Sequence, residues 1–177
     1  FVHCDDRAGA RAATLHLLSR GHRRIGLING PPLGAVSAMQ ERLSGYQEAL
    51  REAGLDFDPA LMVYGDYTRP SGQAATAKLL ALPDPPTAIF AFNDRMAMGA
   101  IRTLHAAGRR VPEDVAVVGF DDIPTAADFN PALTTVRQAS HQMGQVAAEL
   151  LFKLLAGESV PEKKVILPAD FIVRQSA

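Results

Sequence analysis

The sequence predicts a doubly wound α/β domain built on a parallel sheet, on three grounds. Short β-branched or aliphatic runs alternate with amphipathic helical segments. The runs are continuously apolar, as strands are when helices cover both faces of their sheet. Four helical segments stop at a glycine, the residue that most easily adopts the left-handed conformation closing a helix.

Residues 7–20 read as the first helix. Ala12, Leu15, Leu17 and Leu18 form its apolar face and Gly21 ends it. A buried strand follows at 24–28 and runs into Asn29-Gly30-Pro31-Pro32. A helix from about 38 to 53 is stopped by Gly54. Residues 61–64 read as the next strand. The helix at 71–82 is broken by Pro83, Pro85 and Pro86, and 87–92 is strand. Asn93 stands where a helix N-cap belongs, and that helix runs to about Ala107 before Gly108. Residues 115–120 are strand, followed by Asp121-Asp122, and 133–136 is extended. The longest helical segment is 140–156, stopped by Gly157, and strands at 165–167 and 171–173 close the chain.

Composition narrows the function. Of 177 residues, 47% are hydrophobic, enough to build a core. Lys+Arg is 18 and Asp+Glu is 19, a formal net charge of -1, without the basic excess of a nucleic-acid-binding module. No apolar run approaches the ~18 residues that span a bilayer. Cys4 is the single cysteine, which points to a reducing compartment. The start is too short and polar to be a secretory signal. The chain does not start with Met and is expected to begin inside a longer protein.

Ligands of such sheets bind outside the carboxyl ends of the strands. Those ends deliver Asn29-Gly30, Gly65-Asp66-Tyr67, Asn93-Asp94 and Asp121-Asp122, with Arg42 in the first turns of a helix leaving the same rim. The set suits a neutral polyol. Asp121 can accept from two neighbouring hydroxyls, Arg42 offers a rigid fork of donors, and Asn93 both donates and accepts. Tyr67 can lie against a sugar's C–H face or stack on a planar base. Each residue also has a plainer use. Asn93 can be only a helix cap, Asp121-Asp122 can satisfy turn amides, Arg42 can be a solvated charge and Tyr67 ordinary loop packing.

Other chemistries fail. The loop Gly30-Pro31-Pro32-Leu33-Gly34-Ala35-Val36-Ser37 lacks the lysine of a phosphate cradle, and its prolines remove amide donors. No Gly-x-Ser-x-Gly elbow occurs. His3, Cys4, Asp5 and Asp6 are adjacent on an extended segment whose side chains alternate faces, so they do not converge on a metal. His16, His22, His105 and His141 are dispersed, at helix ends and on the surface, without a partnered Ser or Cys. A phosphoryl-transfer pocket around Asp121-Asp122 would need a lysine at a neighbouring strand end, where none of Lys78, Lys153, Lys163 and Lys164 lies. The chain reads as a non-enzyme, with no cofactor and no metal.

Several segments, in order, resemble the effector-binding core of LacI/GalR-type bacterial transcription repressors. They are Leu15-His16-Leu17-Leu18-Ser19-Arg20-Gly21-His22-Arg23-Arg24-Ile25, Arg42-Leu43-Ser44-Gly45-Tyr46-Gln47-Glu48-Ala49-Leu50, and Pro86-Thr87-Ala88-Ile89-Phe90-Ala91-Phe92-Asn93-Asp94. Two more are Val118-Gly119-Phe120-Asp121-Asp122 and Pro131-Ala132-Leu133-Thr134-Thr135-Val136-Arg137-Gln138. The resemblance implies a periplasmic-binding-protein-like (type I) fold of two lobes closing on a small effector, usually a sugar or nucleobase. It assigns effector contacts to Arg42, Tyr67, Asn93, Asp121 and Gln138, with Asp5, and Asp6 beside it, bordering the cleft. It divides the chain into second-lobe residues 1–137 and 163–177 and a first-lobe helix segment at 138–162. On this resemblance the helix-turn-helix head that holds operator DNA and most of the first lobe are expected to lie outside these 177 residues. The resemblance further implies a cytoplasmic homodimer with no membrane contact. The alternatives are a periplasmic sugar-binding protein of a transporter and, more remotely, an enzyme.

In the helix at 140–156, Met143, Val146, Ala147, Leu150, Leu151, Leu154 and Leu155 form one apolar stripe. The resemblance implies that the first-lobe sheet covers that stripe, and places that sheet outside these residues. It is therefore expected to need a partner, foremost a second copy of the chain.

Overall fold

The computed structural model describes residues 1–32, 37–160 and 164–177. The core is a four-stranded, wholly parallel sheet in the order β3-β2-β4-β5. Its strands are β2 (Ile25–Asn29), β3 (Met62–Tyr64), β4 (Ala88–Ala91) and β5 (Ala116–Val118). The three-residue turn Pro59–Leu61, a short 3-10 helix, takes Leu61 out of the expected strand. Leu27, Ile28, Ile89, Phe90, Val117 and Val118 are fully buried, which explains their unbroken apolar runs.

Two helix pairs cover the sheet. One is α1 (Asp6–Ser19) with α2 (Ser37–Glu52); the other is α3 (Arg69–Leu80) with α4 (Asp94–Ala106). β2 leads through α2 to β3 on one side, and β4 leads through α4 to β5 on the other. The order reverses between β2 and β4, so the crevice beyond their carboxyl ends is the natural ligand position. The stop glycines Gly21, Gly54, Gly108 and Gly157 all have positive φ, as expected. Gly45 lets α2 approach α1, since a Cβ there would lie 2.2 Å from the Arg7 carbonyl oxygen.

Beyond the expected parallel sheet the chain adds a separate antiparallel pair. β6 (Thr135–Gln138) pairs antiparallel with β8 (Ala169–Ile172). Bridges from Thr134 to Val118 and from Arg137 to Asp121 set β6 alongside the end of β5. A short helix α5 (Thr125–Asp128) follows β5. A strand β1 (Val2–Cys4) pairs parallel with β7 (Val165–Leu167), apart from the main sheet. His16 is not a surface group, for its ring packs against Phe171 at 5.1 Å between centroids.

α6 (Ser140–Leu155) packs against β1 and has no buried residue. Met143, Val146 and Leu150 are half-buried, whereas Leu151 and Leu155 are 55% and 75% exposed. The stripe is thus an ordered helix open to water, covered by neither α1 nor α3. Three crossings connect the β1, α6 and β7 group to the rest, and Cys4 sits where they meet. Its Sγ accepts from the Ala139 N–H at 3.2 Å and lies 3.8 Å from the Pro168 carbonyl oxygen. The Asp5 N–H donates to the Leu167 carbonyl at 2.8 Å.

Candidate functional site

Arg42 is the pillar of the rim. α2 delivers its guanidinium to the ends of β4 and β5, where it is 4% exposed. Nε donates to Asp6 Oδ1 at 2.7 Å, Nη1 donates to the Phe92 carbonyl, and the guanidinium lies 3.6 Å from the centre of the Phe120 ring. Nη1 also stands 3.7 Å from Asp121 Oδ1. Nη2 has no protein acceptor among the described residues. This is not a solvated charge. The chain buries an arginine where a carboxylate, a carbonyl and an aromatic face neutralise it.

The two acids after β5 separate. Asp121 has φ 118 and Asp122 has φ 54, left-handed values that turn their side chains apart. Asp122 accepts from Arg137 Nε and Arg174 Nη2, each at 2.7 Å, and its carboxylate is built into the scaffold. Asp121 faces the rim with its side chain 30% exposed. Gln138 Nε2 donates to its Oδ1 at 2.5 Å, and Oδ2 has no partner among the described residues. Burial pushes the Asp121 carboxyl above its ordinary range, against the opposing pull of Arg42 and Gln138.

Asn93 is buried, and both ends of its amide are engaged by the protein. Its Oδ1 accepts from the Met96 N–H at 2.8 Å, capping α4, and its Nδ2 donates to the Tyr67 carbonyl at 3.0 Å. The capping alternative therefore describes its own contacts, and through them it fixes Tyr67, whose φ is 68. The Tyr67 ring covers Gly30 so closely that a Cβ there would lie 2.3 Å from its hydroxyl oxygen.

Arg42, Asp121 and Gln138 are thus brought into one network, with Asn93 and Tyr67 joined to each other beside the β2/β4 switch. Asp5 is not in that network. It caps α1 by accepting from the Ala8 N–H at 2.9 Å, and its neighbour Asp6 turns inward to Arg42. Asp6 also lines an open depression of about 530 Å³, together with His3, Ala38 and Glu41. Sequence reasoning set Asp94 on the rim without a role; it is instead fully buried and accepts from the Ile123 N–H at 2.8 Å and Thr135 Oγ1 at 2.5 Å. Sequence reasoning missed Phe120, the aromatic floor under Arg42. The proline-rich loop compared with a phosphate cradle falls at 33–36 outside the described residues, as does Lys163. No group of three or more His, Cys, Asp or Glu among the described residues is arranged to hold a metal ion, and no helix among them is long and apolar enough to cross a membrane.

Residues 14–177 match a family model described as a periplasmic binding protein-like domain. The HTH-type transcriptional regulator CelR of Thermobifida fusca is 44% identical over 176 residues, covering 99% of this chain and 51% of that protein. The HTH-type transcriptional repressor CytR of Escherichia coli K12 is 38% identical over 175 residues, with the same shares covered. Among solved structures, a transcriptional regulator CelR–cellobiose complex superposes with a TM-score of 0.94 at 44% identity, over 100% of this chain and 54% of that one. A regulatory protein of the LacI family from Chloroflexus aggregans superposes with a TM-score of 0.91 at 36% identity, over 99% and 62%. The chain spans about half the length of the curated relatives it matches.

Proposed function

From the premise that the chain belongs to the periplasmic binding protein-like domain family, we propose that it is the effector-sensing lobe of a LacI-type transcriptional regulator and that its effector is a sugar. The observation that carries this reading is the Arg42–Asp121–Gln138 network at the ends of β4 and β5. It offers a carboxylate oxygen and a guanidinium nitrogen, both without partners among the described residues, to vicinal hydroxyls. Tyr67 supplies a flat face for the sugar's C–H surface. The solved cellobiose complex of a 44% identical regulator supports a disaccharide as the first ligand to test. The relatives given above are transcriptional regulators, which favours a sensor over a transport protein or an enzyme.

In this reading residues 138–162 belong to the other lobe and 1–137 with 163–177 to this one. The association of β1 and β7 with α6 extends the other lobe's share to 1–4 and 164–167. A sugar held between the lobes biases the open–closed equilibrium by its differential affinity, and so sets operator binding by a helix-turn-helix head elsewhere in the regulator. That regulator acts as a cytoplasmic homodimer. Its DNA contacts lie in the head, because a chain of net charge -1 offers few cations to phosphates.

The test is isothermal titration of the complete regulator with cellobiose and a panel of other sugars and nucleobases, alongside operator retardation with and without the ligand that binds. A saturable sugar heat that changes operator retardation is the expected result. Binding of nucleobases alone, or sugar binding that leaves operator affinity unchanged, overturns the reading.

A further inference from the structure

Asp121 aims its carboxylate from a backbone that few residues adopt. Two consecutive non-glycine residues, Asp121 and Asp122, stand at positive φ, and such a turn persists only where its surroundings over-determine it. Four contacts hold it. The Asp121 N–H donates to the Val136 carbonyl at 2.8 Å, Asp122 is gripped by Arg137 and Arg174, and the Ile123 N–H donates to Asp94. The other Asp94 oxygen accepts from Thr135 Oγ1 on β6, the strand that presents Gln138 to Asp121. Asp94 therefore touches both arms that set the Asp121 carboxylate, the turn that bears it and the strand that hydrogen-bonds it.

We propose that Asp94 is a positioning residue of the effector site. It holds the Asp121–Ile123 turn and β6 in the register that presents Asp121 and Gln138 as one unit. It does not reach the rim, being fully buried. Its place at the start of α4 would be favourable for any acid near the helix dipole, but the dipole explains neither tertiary bond. Gly119 adds to the case, since a Cβ there would lie 2.3 Å from Asp94 Oδ1, so the chain leaves room for this carboxylate to come close. Burial, with Asp121 and Asp122 nearby, pushes the Asp94 carboxyl up to about 7. The group is thus retained at an electrostatic disadvantage, and its hydrogen bonds give the reason.

This proposal rests on the sugar-sensing reading only for its affinity readout, and a second readout is independent of any ligand. In the complete regulator, Asp94→Ala is expected to raise exchange of the Ile123 amide at least tenfold while β4 amides keep their protection, and to weaken cellobiose binding about tenfold. Asp94→Asn, which keeps an acceptor for Ile123 and a polar group toward Thr135, is expected to restore both within about threefold. Should the alanine variant not fold, Thr135→Val removes one arm alone and is expected to weaken cellobiose about threefold and to loosen the Ile123 amide. Unchanged Ile123 exchange in the alanine variant, or in the valine variant if that one must serve, overturns the proposal. So does a loss spread equally over β4. If the wild-type protein gives no cellobiose heat, the ligand assignment fails while the amide exchange still decides the role of Asp94.

Discussion

Replacing Arg42 with alanine tests the site and the fold at once. The substitution leaves Asp6, 5% exposed, as a buried carboxylate without its guanidinium, and deprives the Phe92 carbonyl of its donor. Removing one partner of a buried ion pair costs about 3–5 kcal/mol, mostly from the charge left behind. For a chain of this size each kcal/mol lowers the melting temperature by about 2–4 °C, so a drop of about 6–20 °C is expected. The loss should be non-additive. Asp6→Ala removes the stranded charge, and the double variant Asp6→Ala/Arg42→Ala should melt above Arg42→Ala alone. The chain has no tryptophan, so far-ultraviolet circular dichroism during urea and thermal unfolding is the suitable probe. A shift below about 1 kcal/mol for Arg42→Ala, or a double variant that sums the two single losses, would refute the view that this arginine supports the rim from beneath.

On the proposed reading Asp121 accepts the sugar hydroxyls, so Asp121→Asn should weaken cellobiose by about 1.5–3 kcal/mol, roughly tenfold or more, with the melting temperature nearly unchanged in the absence of sugar; an unchanged calorimetric titration counts against the site. Asp94 titrates in the folded protein at about 7, above its unfolded value, so the folded state holds a proton that the unfolded state has released. Wild-type stability should therefore fall as pH rises from about 4 through about 7, and the melting temperature of Asp94→Asn should gain on it over that window; parallel profiles would contradict the assignment. Leu151→Asp and Leu155→Asp should leave the 177-residue chain as stable as before, because both side chains are exposed there, yet destabilise the complete regulator by about 1.5–3 kcal/mol each. Equal melting shifts in the two proteins would remove α6 from the lobe interface.

The parts of the fold that local chemistry specifies were legible. Continuous apolar runs marked β2, β4 and β5, and glycines marked the helix ends, because burial on both faces and left-handed closure leave direct traces in sequence. β1 is three residues long and defined by its pairing with β7 over 160 residues away, so no window on the sequence contains it. The antiparallel β6–β8 pair is hidden for the same reason. At the site, Arg42 and Asp121 stood out because charge is rare beside apolar strands. The resemblance brings Asp5, with Asp6 beside it, to the cleft, and adjacent acids cannot be told apart until the first turn of α1 fixes which one caps and which one points inward. Asp94 went unassigned because Thr135, its partner, lies 41 positions away and signals nothing but a strand.

The place of Cys4 gives the molecule a chemical clock of its own. It is the only thiol in the chain, 1% exposed, and burial pushes its pKa up. An alkylating reagent can reach it only when the crossing strands part, so the labelling rate counts those partings without any engineered probe. If, as proposed, a sugar draws two lobes of the complete regulator together, it should lengthen the labelling half-life as its occupancy rises, and mass spectrometry of one tryptic peptide would then read ligand binding, domain motion and local stability from the same sulfur.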